Sequence, residues 1–247
     1  MQKMIRRKTF GQSLFTGIAS AALSVAALVV VNSAAVSAKG ASTENRDVAA
    51  FDAVVLKSSA DVFVKVGPGQ SVKVVADSDV IDRLRTDVRD GALVVSMKKG
   101  TYRNIKKLEV HVTVPSLHRA DLKGSGDITV SDAKADVFSA KLNGSGDMEI
   151  DDGKIGSLSL SLKGSGDMEV SGTCEGVAVQ LLGSGDIEAD DMKCATADVE
   201  LKGSGDISVY ASKSARLTVQ GSGDIRLKGH PESVTSQVRG SGDIYQD

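Results

Sequence analysis

The chain has 247 residues, 30 of them basic and 32 acidic, with 3% aromatic residues and no Trp. That length supports a sizeable core in one or two domains. The scarcity of flat rings counts against sugar binding by stacking, and the charge balance excludes the strongly basic surface that nucleic acid recruits.

The first segment reads as a targeting signal rather than as part of the fold. Lys3, Arg6, Arg7 and Lys8 form a positive start, Leu14 to Val31 is apolar and uncharged, and Val36-Ser37-Ala38 offers a small-residue cleavage site. Residues 1–38 are therefore predicted to be a secretory signal peptide. A retained anchor is the alternative, since about 18 apolar residues just span a bilayer. The cleavage-like site and the lack of a basic flank after the apolar run favour removal. Arg6-Arg7 hints at twin-arginine export, although Phe10 stands one place too far along, and no Cys lies near the cleavage point to carry a lipid. Without this segment the chain holds 26 basic and 32 acidic residues, a net charge of −6. No later segment is long and apolar enough to span a membrane. The expected location is the periplasm or the cell surface and beyond.

Residues 39–47 are small and polar and read as a flexible lead-in. From Val48 to Pro115 apolar and polar residues alternate with a period of two, the pattern of half-buried strands. Val62-Phe63-Val64-Lys65-Val66 and Val72-Lys73-Val74-Val75 flank a Gly67-Pro68-Gly69 turn, Leu93-Val94-Val95 and Leu108 to Val114 are further strands, and Val80 to Leu84 reads as one helical turn.

Residues 116–247 are organised by repetition. Gly-Ser-Gly-Asp recurs at Gly124, Gly144, Gly164, Gly183, Gly203, Gly221 and Gly240, in steps of 18 to 20 residues. Two places before each copy stand Leu122, Leu142, Leu162, Leu181, Leu201, Val219 and Val238. Four places after the first glycine stand Ile128, Met148, Met168, Ile187, Ile207, Ile225 and Ile244. Period-two alternation on both sides of the glycines gives two short strands per copy, and the period predicts stacked coils. Length varies only in the five to seven residues farthest from the motif, which are expected to form a surface loop. Ser58-Ser59-Ala60-Asp61, preceded by Leu56-Lys57, reads as a decayed copy of the motif. The predicted fold is all-β: one single-stranded parallel β-helix or β-solenoid over residues 48–247. Residues 48–115 are its irregular first coils, and right-handed winding is the default for parallel crossovers.

The sequence resembles the bacterial family of auto-transporter adhesin head (GIN) domains. Phe51-Asp52-Ala53-Val54, Asp90-Gly91-Ala92-Leu93 and the Val112-Thr113-Val114-Pro115 strand, leading into the Gly-Ser-Gly-Asp coils, carry the resemblance from Phe51 to the C-terminus. It implies a parallel β-helix-like fold in an exported protein and supplies no catalytic residues. A full auto-transporter ends in a membrane β-barrel, whereas this sequence stops at Asp247 within a coil.

In a solenoid, residues at one repeat position become vertical neighbours. Asp127, Asp147, Asp167, Asp186, Asp206, Asp224 and Asp243 then form a column of carboxylates about 5 Å apart. Their mutual repulsion needs an offset. One reading is a Ca²⁺ ladder, weakened by the lack of a second acidic column close by. The favoured reading is corner chemistry, in which glycines permit close approach and Ser and Asp bond local N–H groups. Lys123, Lys163, Lys202 and Arg239, just before the motif, would then partly compensate the acidic row. Cys174 and Cys194 each stand nine residues before a motif glycine, so they share a column on consecutive coils. Their expected separation suits a disulfide, and export supplies the oxidising compartment.

His111, His118 and His230 share neither a column nor metal-ligand spacing. No nucleophile elbow is present, and the Asp column is too monotonous to give two carboxylates different roles. No catalytic residue, metal site or cofactor is predicted. The sequence supports a non-catalytic exported scaffold or interaction module with an envelope or cell-surface partner. A Ca²⁺- or ligand-binding envelope protein and a polysaccharide-active β-helix enzyme are the alternatives. The last coil offers an open strand edge, so end-to-end association with a second copy is also expected.

Overall fold

The computed structural model describes residues 40–247; the segment expected to be a signal peptide lies outside them. These residues form an all-β solenoid with a single 3-10 turn, Ile81–Arg83. The regular part begins with β8 (Arg119–Leu122), β9 (Ile128–Ser131) and β10 (Lys134–Gly144). It continues as β11 (Met148–Gly164), β12 (Met168–Gly183), β13 (Ile187–Gly203) and β14 (Ile207–Gly221), and closes with β15 (Ile225–Lys228), β16 (Ser233–Gly240) and β17 (Ile244–Gln246). Each strand pairs in parallel with the equivalent strand of the next coil, so that Leu142, Leu162, Leu181 and Leu201 lie in one ladder. A parallel rung buries its inner side chains against the rungs above and below. Burying one leucine contributes roughly 1.5–3 kcal/mol, and this column together with Ile128, Met148, Met168, Ile187, Ile207 and Ile225 forms an almost solvent-free core.

In β11 to β14 the expected surface loops are instead bends within continuous strands, while non-strand residues remain at 132–133 and 229–232. Residues 151–157 belong to β11, with Ile155 buried, and register shifts at Ile150/Gly153 and Glu169/Ser171 absorb the changes in coil length. A bulge costs one unpaired residue and keeps the rest of the ladder hydrogen-bonded. Asp132 and Asp152 take left-handed φ values of 61° and 54° at this bend, a conformation that short polar side chains tolerate.

The first part departs further from expectation. β1 (Ala41–Asn45) forms within the segment expected to be flexible and pairs antiparallel with β4 (Ser71–Asp77). It is an edge strand, so its backbone pairing suffices without apolar alternation. Nor do residues 48–115 wind as successive coils. β2 (Ala53–Lys57) and β3 (Asp61–Val66) form a rung directly beneath β8 and β9, joined by the Ser58-Ser59-Ala60-Asp61 corner. β6 (Ala92–Met97) and β7 (Leu108–Val114), later in sequence, form the rung beneath that one. The Gly67-Pro68-Gly69 turn therefore joins strands that do not pair with each other; β3 and β4 lie on opposite sides of β7. β5 (Leu84–Arg89) pairs antiparallel with β6, so antiparallel strands bound this end of the sheet.

Candidate functional site

The Gly-Ser-Gly-Asp corners stack with one repeated hydrogen-bond scheme. The Ser165 N–H donates to the Gly144 carbonyl of the coil before, and each later copy repeats this at 2.8–3.0 Å. The Asp167 N–H donates to Oδ1 of Asp147 at 2.9 Å, and the same bond joins Asp127 to Asp147, Asp167 to Asp186, Asp186 to Asp206, Asp206 to Asp224 and Asp224 to Asp243. Every carboxylate from Asp127 to Asp224 thus accepts a backbone N–H from its neighbour above, a charge-assisted bond that offsets the repulsion along the column. The column reaches down to Asp61, which accepts from the Asp127 N–H at 3.4 Å. Burial raises the Asp61 carboxyl above the ordinary carboxylate range, opposed by that hydrogen bond.

Both glycines are required by close approach. A β-carbon at Gly144 would collide with the Gly124 carbonyl, and one at Gly146 with the Gly126 carbonyl; the same clash recurs up the stack. The motif serines are exposed, so their expected role in bonding local backbone gives way to the bonds between coils made by the aspartates. The basic residues before the motif do not neutralise the column: Lys202, for example, pairs with Glu200.

A second acidic column does stand beside the first, contrary to the sequence reading. Thr129, Glu149, Glu169 and Glu188 are in register, and the three glutamates are exposed with Asp147, Asp167 and Asp186. The signal was available as Glu five places after the first glycine in three consecutive copies. Even so, no group of three or more His, Cys, Asp or Glu among the described residues is disposed to hold a metal ion.

Cys174 and Cys194 are register partners on β12 and β13 with Cα atoms 4.4 Å apart, and a disulfide joins them. His118 lies away from the aspartate column, whereas His111 stands two residues along β7 from Glu109, the register partner of Asp61 at the column's foot. The His111 ring bonds Glu109 at 3.1 Å and stacks on Phe63, while His118 meets Asp52 at 3.3 Å. Sequence reasoning missed the Phe63–His111 pair because its members are 48 residues apart and lie outside the repeat.

No helix among the described residues is long and apolar enough to cross a membrane. No curated protein matches the chain. Solved structures share its fold. A "putative adhesin" from Bacteroides fragilis is 24% identical with a TM-score of 0.82, the match covering 85% of this chain and 98% of that one. A "putative lipid binding protein" from Parabacteroides distasonis is 25% identical with a TM-score of 0.70, covering 84% and 97%. A "putative adhesin" from Parabacteroides merdae is 19% identical with a TM-score of 0.68, covering 84% and 96%. The family described as "Putative auto-transporter adhesin, head GIN domain" matches residues 50–231, and the chain belongs to that family.

Proposed function

We propose that this protein is a non-catalytic, exported module of the bacterial envelope that presents the outer faces of its solenoid to binding partners, in the manner of an adhesin. Membership of the adhesin-head family supports this reading. The observation that carries it is the aspartate ladder: the groups best placed to act as acids, bases or cation ligands each hold the backbone of the next coil. A carboxylate tied into identical bonds on every coil lacks the contrast in environment that separates a catalytic acid from a base. Coil regularity instead yields broad faces with a fixed spacing of about 4.8 Å between side chains. The edge of the last coil is where this module pairs with a second copy.

The test is saturable binding of the labelled protein to intact bacterial envelopes, competed by unlabelled protein. Binding without turnover of envelope polysaccharides is the expected result. Release of soluble sugars, abolished by one Asp→Asn change in the column, would overturn the reading.

A further inference from the structure

One groove on the outer face differs in chemistry from the rest of the solenoid. It occupies about 390 Å³ where the antiparallel strands meet the first coils, and it crosses β1, β4, β7, β3 and β9. Two rows of outward side chains line it. Asn45, Lys73, His111, Phe63 and Thr129 are successive register partners, as are Ser71, Thr113, Lys65 and Ser131. No acidic residue lines this groove, although the adjoining coils carry Glu149, Glu169 and Glu188 in the continuation of the first row.

Phe63 is 39% exposed, which is unusual for a phenylalanine in mid-strand. Its ring is stacked on His111, with centroids 5.1 Å apart and planes inclined by 17°. The neighbour on the other side is Thr129, whose side chain is too short to cover the second ring face. Two lysines line the same groove, Lys65 two residues along β3 from Phe63 and Lys73 on the far side of His111. Lys65 has only a distant surface pair with Asp132, at 3.9 Å, and such a pair holds a lysine by less than about 1 kcal/mol. Lys73 has no ion-pair partner among the described residues.

A ring with one free face, two cations and four hydroxyl side chains matches a ligand that combines a flat C–H surface, negative charge and many hydroxyls. The groove spans four strand-to-strand steps, roughly 19 Å, so it fits a linear chain rather than a single small molecule. We propose that this groove binds an acidic polysaccharide, with a sugar ring against the free face of Phe63 and uronate carboxylates held by Lys65 and Lys73. Thr113, Thr129, Ser131 and Asn45 are positioned to bond sugar hydroxyls. The inference deepens the adhesin reading by naming a ligand class for one face, and it rests on that reading only for its biological setting.

Calorimetric titration of the purified protein with oligogalacturonate tests it, with the methyl-esterified oligomer and phosphatidylglycerol vesicles as separate arms. Binding of the acid form, weakened at least tenfold by Phe63→Ala and by Lys65→Gln with Lys73→Gln, is the expected result, with little binding of the ester. The lysine variants keep the ring and test the charge independently, and an unchanged thermal midpoint shows that they fold. Equal binding of acid and ester, binding of vesicles alone, or affinity unaffected by the lysine variants would overturn the proposal. Envelope binding that persists when oligogalacturonate binding is absent would sink this site and leave the adhesin reading standing.

Discussion

Asp167 shows what one residue of the motif contributes. Its carboxylate accepts the Asp186 N–H at 2.9 Å, and its own N–H reaches Asp147. Asp167→Ala strands a backbone donor between coils and is expected to cost about 1–2 kcal/mol in urea denaturation. Asp167→Asn keeps an acceptor and removes one charge from the column, so its stability should equal or exceed that of the parent. An alanine variant as stable as the parent would refute the ladder's structural role.

Two carboxyls opposed in register, Asp61 and Glu109, respond to folding in opposite directions. Burial raises Asp61, whereas hydrogen bonds from Lys107 and then His111 lower Glu109. A raised carboxyl pKa means that ionised Asp61 weakens the fold at neutral pH, a penalty removed as pH falls through its folded value. Asp61→Asn should therefore raise the thermal midpoint at pH 7, with the gain fading as pH falls through the folded value of Asp61. Glu109 has the reverse sign: its stabilisation is present above the unfolded value and lost as pH falls through the folded one. Glu109→Gln should lower the midpoint at pH 7, with the loss shrinking only as pH falls through the lowered folded value. Parallel pH profiles for the two variants would contradict this assignment.

At the scale of elements, the disulfide between β12 and β13 ties two rungs that the parallel ladder already holds in register. The unfolded, unreduced protein is expected to show no titratable thiol. Replacing both cysteines by alanine should cost roughly 2–4 kcal/mol, chiefly by freeing the denatured chain. Two free thiols in that assay would remove the bridge. This pairing was legible because the period places Cys174 and Cys194 at one repeat position. The same logic exposed the aspartate column and the buried leucine and isoleucine columns. Periodicity is silent where no repeat aligns the residues. Alternation with a period of two is the same in parallel and antiparallel strands, so residues 48–115 could not reveal that β4 turns back on β7 or that β2 and β3 enter between later strands. β1 escaped notice because an edge strand needs backbone partners more than apolar side chains. The Phe63 groove depends on these same long-range pairings, and for that reason the sequence concealed it.

For the whole molecule, the two ends of the described sheet differ. One end is bounded by β1, β4 and β5, which run antiparallel to their neighbours. At the other, β16 pairs only with β14, every residue of β16 is exposed, and Val234 and Val238, the register partners of buried Ala215 and Val219, are 37% and 45% accessible for want of a covering rung. An unpaired edge carrying apolar side chains invites another strand. Pairing β16 antiparallel with its copy, centred on Ser236, sets Val234 against Val238 and Thr235 against Gln237. That arrangement has two-fold symmetry, so it closes as a dimer instead of extending into a fibre. Light scattering of the protein at high micromolar concentration should report a dimer that dissociates on dilution, and Val238→Lys should hold it monomeric by setting an ammonium group against Val234 of the second copy. A parent protein that stays monomeric across that range would exclude the edge as an assembly surface, whatever the coils bind along their flanks.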